Sequence, residues 1–319
     1  MFIWDKLGRI YNPYDFSSRS QWMYEFTLAP WTLIFDNFIR VYIGTRSKRD
    51  KNSQYITYSS YIDLSRSNLF DIVGLSKKPV IKLGNRGCFD EFGTYPLSVI
   101  RRENSIWGYY AGWTRCESVP FNVGIGLAIS NNNGITFEKV GEGPIIPYSI
   151  HEPFTISGPK IKYFDDTYYL FYIAGKQWVI VNGKPEISHK IRMATSKNGI
   201  EWTKINRDII SNGWDKDESQ ASPDVFYRNG LYHMFFDGWI PSSFRRTKKR
   251  IIGYAYSKDL FNWTRDDEKA GINLSNDGWD SDMVAYPHIF DLDEETYLLY
   301  IGNEVGRYGF GVAKLRDQY

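Results

Sequence analysis

Five prolines, Pro30, Pro96, Pro159, Pro223 and Pro287, recur at spacings of 66, 63, 64 and 64 residues. Each stands inside a similar stretch: a small or acidic approach, the Pro, a β-rich run, a polar turn and an aromatic β-run. A period of this length, repeated through a chain of 319 residues, points to stacked copies of one supersecondary unit. Phe164-Asp165-Asp166-Thr167-Tyr168-Tyr169-Leu170 and Tyr227-Arg228-Asn229-Gly230-Leu231-Tyr232 read as the first hairpin of two such units, with Asn-Gly as a tight turn. A third strand ends in an Ala-x-Ser turn with an aromatic soon after: Ala128, Ser130 and Phe137; Ala194, Ser196 and Trp202; Ala255, Ser257 and Trp263.

Four strands per repeat and five repeats predict an all-β chain, a five-bladed β-propeller forming one domain over residues 1–319. Aromatics at 17% and the absence of long Ala/Leu/Glu/Lys-rich stretches agree with strands. The fifth repeat stops after its third strand, Tyr308–Leu315, while Phe2–Ile10 reads like the fourth strand Ile135–Gly143. The N-terminal strand is therefore expected to close the last blade. Arg46–Leu75 is the least regular part, a long loop followed by a third strand near Tyr55–Ser60.

Aligned on the prolines, the position five residues upstream holds Glu25, Glu91, Glu218 and Asp282, with Phe154 in the remaining repeat and Glu152 two residues before it. Asp90, Asp217 and Asp280 flank them. Carboxylates converging from separate blades suit acid/base work at a glycosidic bond, because crowding drives their pKa values apart. Glu91, Glu218 and Asp282 lead this set, with Glu25, Glu152, Asp90 and Asp217 behind them. Acids in front of an inner strand also cap turns on backbone N–H groups, and both roles stay open.

Arg46, Trp113, Arg115, Lys176, Trp239 and Arg307 follow the second strands and are the candidate substrate-binding residues. Trp faces suit a sugar ring, and cations suit phosphate or carboxylate. Tyr168, Tyr169, Trp202 and Trp263 are assigned to the packing between blades. The basic run Arg245–Arg250 reads as a solvated loop on the candidate face.

A formal net charge of +2 gives no global field for nucleic acid or an anionic membrane, and no apolar run is long enough to span a bilayer. The start carries no basic-then-apolar leader and there are two cysteines, Cys88 and Cys116, so a soluble cytoplasmic protein is expected. His151, His189, His233 and His288 lack zinc-type spacing, and no nucleotide-binding Gly motif is present, so no metal or cofactor is expected.

Five repeats, inner-strand acids and turns such as Asp165–Leu170 together resemble the five-bladed propeller glycosidases, including glycoside hydrolase families 43, 32 and 130. That resemblance spans nearly the whole chain and implies cleavage, transfer or phosphorolysis of a glycosidic bond by carboxylates from separate blades. Those families place an acid directly before, or two before, the inner-strand Pro. Here Ala29, Tyr95, Gly158, Ser222 and Tyr286 stand immediately before it, so the family's acid triad is not carried over. Ser196–Trp202 also looks like a sialidase Asp-box, but sialidases have six blades. Two further readings follow: a transferase or phosphorylase using a nucleotide- or phospho-sugar in surface-polysaccharide assembly, and a non-catalytic sugar-binding propeller.

Overall fold

The computed structural model describes residues 1–17 and 19–316, so residues 317–319 of the expected domain lie outside the described residues. The chain is nearly all β, as its repeat predicts. Strand β1 (Trp4–Tyr11) comes first, and four antiparallel groups of four strands follow. They are β2 (Glu25–Ile34), β3 (Phe38–Arg46), β4 (Thr57–Ser65) and β5 (Ile72–Leu75); β6 (Gly93–Arg102), β7 (Ser105–Arg115), β8 (Phe121–Ser130) and β9 (Glu138–Lys139); β10 (Ile156–Phe164), β11 (Thr167–Val181), β12 (Lys184–Ser196) and β13 (Thr203–Lys204); and β14 (Ser219–Arg228), β15 (Leu231–Trp239), β16 (Ile251–Ser257) and β17 (Trp263–Arg265). The last group, β18 (Ala285–Leu292), β19 (Glu295–Ile301) and β20 (Phe310–Leu315), is completed by β1, which pairs antiparallel with β20. A parallel bridge from Thr57 to Gly93 joins the first two groups.

The recurring proline has a structural cause. Pro brings no N–H to a ladder, so a strand tolerates it at an edge or at a bulge. The pairing of β2, β6, β10, β14 and β18 with the next strand slips at that point in every case, between Leu28 and Trp31, Thr94 and Leu97, Ser157 and Lys160, Ala221 and Asp224, and Ala285 and His288. The residue before the Pro takes left-handed φ in four strands: Ala29, Gly158, Ser222 and Tyr286.

Beyond the bulge, the same five strands are bound to one another in a cycle. Trp31 Nε1 donates to the Val99 carbonyl (2.9 Å), and Ser98 Oγ accepts from Ile161 N (2.9 Å). Lys162 Nζ lies 2.8 Å from Asp224, whose Oδ2 accepts from Ile289 N at 2.6 Å. His288 Nε2 accepts from Thr32 N at 3.0 Å and returns the cycle to β2. Burial pushes the Asp224 carboxyl up, but Lys162, His288 and Lys160 hold it far below the usual range. The inner strands are thus linked to one another through polar groups, of which Ser98, Asp224 and His288 are buried and need partners in place of water.

Between sheets the packing is aromatic. Trp202 meets Tyr109 edge-on at 5.7 Å, and Trp263 meets Phe171 at 6.3 Å. Tyr168 is buried in the cluster shared by the first three sheets, and Tyr169 packs on the cluster between the third and fourth. The Ala-x-Ser turns are fixed by the serine, whose Oγ accepts from the backbone of Gly134, Gly199 or Leu260. Among the described residues no helix is long and apolar enough to cross a membrane.

Candidate active site

The acids that precede the inner strands are held by partners of their own sheets. Asp90 accepts from Tyr110 Oη (2.8 Å) and pairs with Lys139 on β9 (2.5 Å). Glu152 accepts from Tyr172 Oη (2.8 Å), Arg192 (3.1 Å) and Lys204 on β13 (2.5 Å). Asp280 accepts from Tyr300 Oη (3.0 Å) and Lys6 on β1 (2.6 Å). Glu218 accepts from Gly213 N, Trp214 N and Gln220, and from Arg265 on β17 at 2.5 Å. In each of these four sheets a buried carboxylate ties the approach to the innermost strand to the outermost strand. Burial and the adjoining carboxylate push the hydroxyls of Tyr110, Tyr172 and Tyr300 far above their usual range, so they remain donors.

Glu25 differs: it accepts from Tyr14 Oη (3.3 Å) and lies 3.5 Å from Arg307 and 3.7 Å from Arg49. Glu91 accepts from Gly87 N, while Asp217 and Asp282 are exposed.

The cavity beside the repeat proline Pro96 is built from other residues. It is about 100 Å³ and is lined by Tyr95, Trp113, Phe121, Thr155, Ser157, Gly158, His189, Ser222, Trp239, Arg250 and Tyr286, among others, from the second to fifth sheets. None of the seven acids lines it. Glu25, Glu152, Asp90 and Glu218 are held by the partners above, and Glu91, Asp217 and Asp282 lie outside the pocket wall, so this cavity does not bring the seven expected acids together.

Of the expected binding residues, Trp113 and Trp239 line this cavity. Arg46 and Arg115 line a second cavity of about 450 Å³ that shares Tyr95, Trp113 and Phe121 with the first. Lys176 pairs with Asp208 at 3.0 Å, and Arg307 with Tyr14 and Glu304; neither lines the two cavities. A groove of about 410 Å³ beside Phe2, Arg228 and His233 lies by the hairpin turns, at the other end of the inner strands.

Packing sets the pocket's geometry. Tyr95 stacks on Trp113 (5.6 Å between centroids, 8° between planes), and Trp113 meets Phe121 edge-on at 4.7 Å. Gly44 lets the Tyr95 ring approach the backbone: a Cβ there would stand 2.1 Å from Tyr95 Cδ2. Opposite, the Arg250 guanidinium lies over Trp239 (4.1 Å) and Tyr286 (4.8 Å) and pairs with buried Asp237, which also accepts from Tyr286 N. Burial lowers the Arg250 pKa, but Asp237 and Tyr286 raise it further, so it stays charged. The His189 imidazole, with Nε2 3.1 Å from Thr155 Oγ1, is pushed down to about 3 by burial and by Arg250.

His288 in the inner-strand cycle is likewise pushed down to about 4, by burial aided by Lys160 and Lys162 against the pull of Asp224. The ordinary value of both imidazoles is 6.5. The unfolded chain therefore binds protons that the folded one refuses as pH falls below that value. The contribution to stability is whole above pH 6.5 and is lost progressively as pH falls toward 4 and 3. Thermal melts from about pH 7.5 to 4 should show a falling Tm, with a shallower fall for His288→Asn; a Tm flat across this range would contradict the assignment.

Tyr95, Phe121, His189, Ser222, Arg250 and Tyr286 were not among the expected site residues. Tyr95, Ser222 and Tyr286 each stand directly before a repeat proline, a position the alignment exposes. Arg250 ends the basic run expected to be solvated. It is 5% exposed because Asp237 and the two rings enclose it.

Uncharacterized protein MT1551 of Mycobacterium tuberculosis (strain CDC 1551 / Oshkosh) is 32% identical over 317 residues, covering 98% of this chain and 99% of that protein. Uncharacterized protein Rv1502 of strain ATCC 25618 / H37Rv matches to the same extent. The chain belongs to the family of these mycobacterial proteins. No protein-family model matches it. Among solved structures, a glycoside hydrolase aligns with a TM-score of 0.75 at 16% identity, covering 98% of this chain and 93% of that one. A thermostable family-43 glycoside hydrolase aligns with a TM-score of 0.65 at 15% identity, covering 91% and 88%. The GH43_1 enzyme from Xanthomonas citri aligns with a TM-score of 0.63 at 14% identity, covering 95% and 91%. The fold of this family is thus the one found in glycoside hydrolases, as the sequence resemblance implies.

Proposed function

We propose that the five four-stranded groups are the blades of a five-bladed propeller, a single domain closed by its N-terminal strand, that takes a carbohydrate into the cavity beside Pro96. The observation that carries this is the cavity wall, where Tyr95, Trp113, Phe121, Trp239 and Tyr286 surround a few polar groups, Arg250, Thr155, Ser157 and Ser222. Aromatic faces match the C–H faces of a sugar, and a few fixed polar groups select its hydroxyls.

The glycoside hydrolase neighbours support a glycosidase-like role at a glycosidic bond. That chemistry uses two carboxyl groups flanking the bond. The absence of Asp and Glu from the lining residues favours a second reading, in which the pocket binds a sugar without cleaving it.

Tryptophan fluorescence titrated with a panel of mono- and oligosaccharides tests the shared claim. A saturable change is expected in the wild type, with affinity reduced at least about tenfold in Trp239→Ala, whose truncation removes a stacking face. No response to any sugar would contradict it. Incubation with a panel of glycosides then separates the readings: released sugar that is lost in Glu91→Gln or Asp282→Asn favours hydrolysis, and binding without product favours recognition alone.

A further inference from the structure

Beside the central pocket, the cavity of about 450 Å³ carries positive charge that no carboxylate of its wall neutralises. Arg46 and Arg115 line it with Tyr55, Gln54, Thr57, Phe92 and others, and among the described residues no Asp or Glu does so. Neither arginine has a carboxylate at ion-pair distance among the described residues; Arg250 in the central pocket, by contrast, is matched by Asp237. Glu25, on the strand paired with Arg46, is turned to Arg307, Arg49 and Tyr14.

Both guanidinium groups are oriented by stacking. Arg46 lies between the rings of Phe26 (4.0 Å) and Tyr55 (4.2 Å), and its buried Nε has no hydrogen-bond partner. Arg115 lies over Phe92 at 4.0 Å and donates to the Tyr55 carbonyl at 3.1 Å. Tyr55 thus connects the two, its ring against one guanidinium and its carbonyl bound to the other. Stacking fixes a guanidinium plane and leaves N–H groups at its edge for an oxyanion. Two cations brought from different strands, Arg46 on β3 and Arg115 on β7, match the charge of a phosphate better than that of a single carboxylate.

We infer that this cavity holds the phosphate of a phosphorylated sugar whose ring occupies the adjoining pocket across Tyr95, Trp113 and Phe121. The inference rests on the carbohydrate reading of the central pocket and names its substrate class.

Isothermal titration calorimetry with hexose 1-phosphates, the matching free hexoses and inorganic phosphate tests it. At least one hexose 1-phosphate should bind about tenfold or more tighter than its free hexose, with affinity falling as salt rises. Arg115→Ala should remove most of that difference while leaving free-hexose binding unchanged. Arg46→Lys, which keeps the charge and loses the fork, should weaken only the phosphorylated form, and a Tm for each variant identifies loss of folding. Equal affinities for phosphorylated and free hexoses, or an unchanged difference in a folded Arg115→Ala, would overturn the phosphate assignment and leave the carbohydrate reading standing. Inorganic phosphate binding with no sugar in either form bound would overturn both.

Discussion

Removal of residues 1–11 should leave a protein that no longer folds cooperatively. Strand β1 supplies the outermost strand of the last sheet, and Trp4, Ile10 and Tyr11 on it are buried. Trp4 packs edge-on against Phe235 of the fourth sheet at 5.8 Å and donates Nε1–H to the Ala270 carbonyl at 3.0 Å. Truncating a buried Trp alone costs about 3–5 kcal/mol. The deletion adds the loss of a whole ladder and of the Lys6 partner of Asp280. That sum reaches the roughly 5–15 kcal/mol that holds a typical domain folded. The strand β20 would also present a bare edge, open to association. Chemical denaturation with size-exclusion chromatography checks this: loss of the cooperative transition, or aggregation, is expected, and a monomer with wild-type stability would refute it.

Glu218→Ala should be nearly as damaging, through stability and not through chemistry. Burial pushes the Glu218 carboxyl up, but Arg265, the N–H groups of Gly213 and Trp214, and Gln220 together hold it below the ordinary glutamate value. The Ala variant leaves the guanidinium of Arg265, a side chain only 7% exposed, without this partner and exposes two backbone donors to an unfilled space. Breaking a buried pair from one side costs up to about 3–5 kcal/mol, and Arg265 keeps Asp267 at 2.8 Å, which places this loss at the lower end. The drop should appear in urea midpoints at neutral pH, whereas Glu91→Ala, at a partly exposed carboxylate bound to one loop N–H, should shift the midpoint little. A Glu218→Ala protein as stable as the wild type, with sugar turnover abolished, would restore Glu218 as a catalyst.

The architecture was legible because its rules are local. A Pro is tolerated in a ladder only at an edge or a bulge, so the spacing of five prolines marks five inner strands. Ala-x-Ser announces a turn that the serine side chain makes itself. The unmatched strand at the N-terminus pointed to the strand that pairs with it.

The site was less legible because its partners are distant in sequence. Asp90, Glu152 and Asp280 each find a tyrosine twenty residues on, a regularity visible in the sequence. Their cations, Lys139, Lys204 and Lys6, come from strands that only the closed sheet brings beside them. Without those partners, a row of acids suggests convergent catalysis; with them, Asp90, Glu152 and Asp280 each tie the approach to an innermost strand to the outermost strand of the same group. Arg250 was hidden for the same reason, since the aspartate that draws it inward lies on a neighbouring strand.

The most direct measurement is a crystal structure of the protein with a sugar that it binds. The sugar ring should lie against Trp113 or Trp239 with hydroxyls facing Arg250 and Ser222. A sugar seated beside Glu91 or Asp282 and away from those tryptophans would contradict the placement of the site.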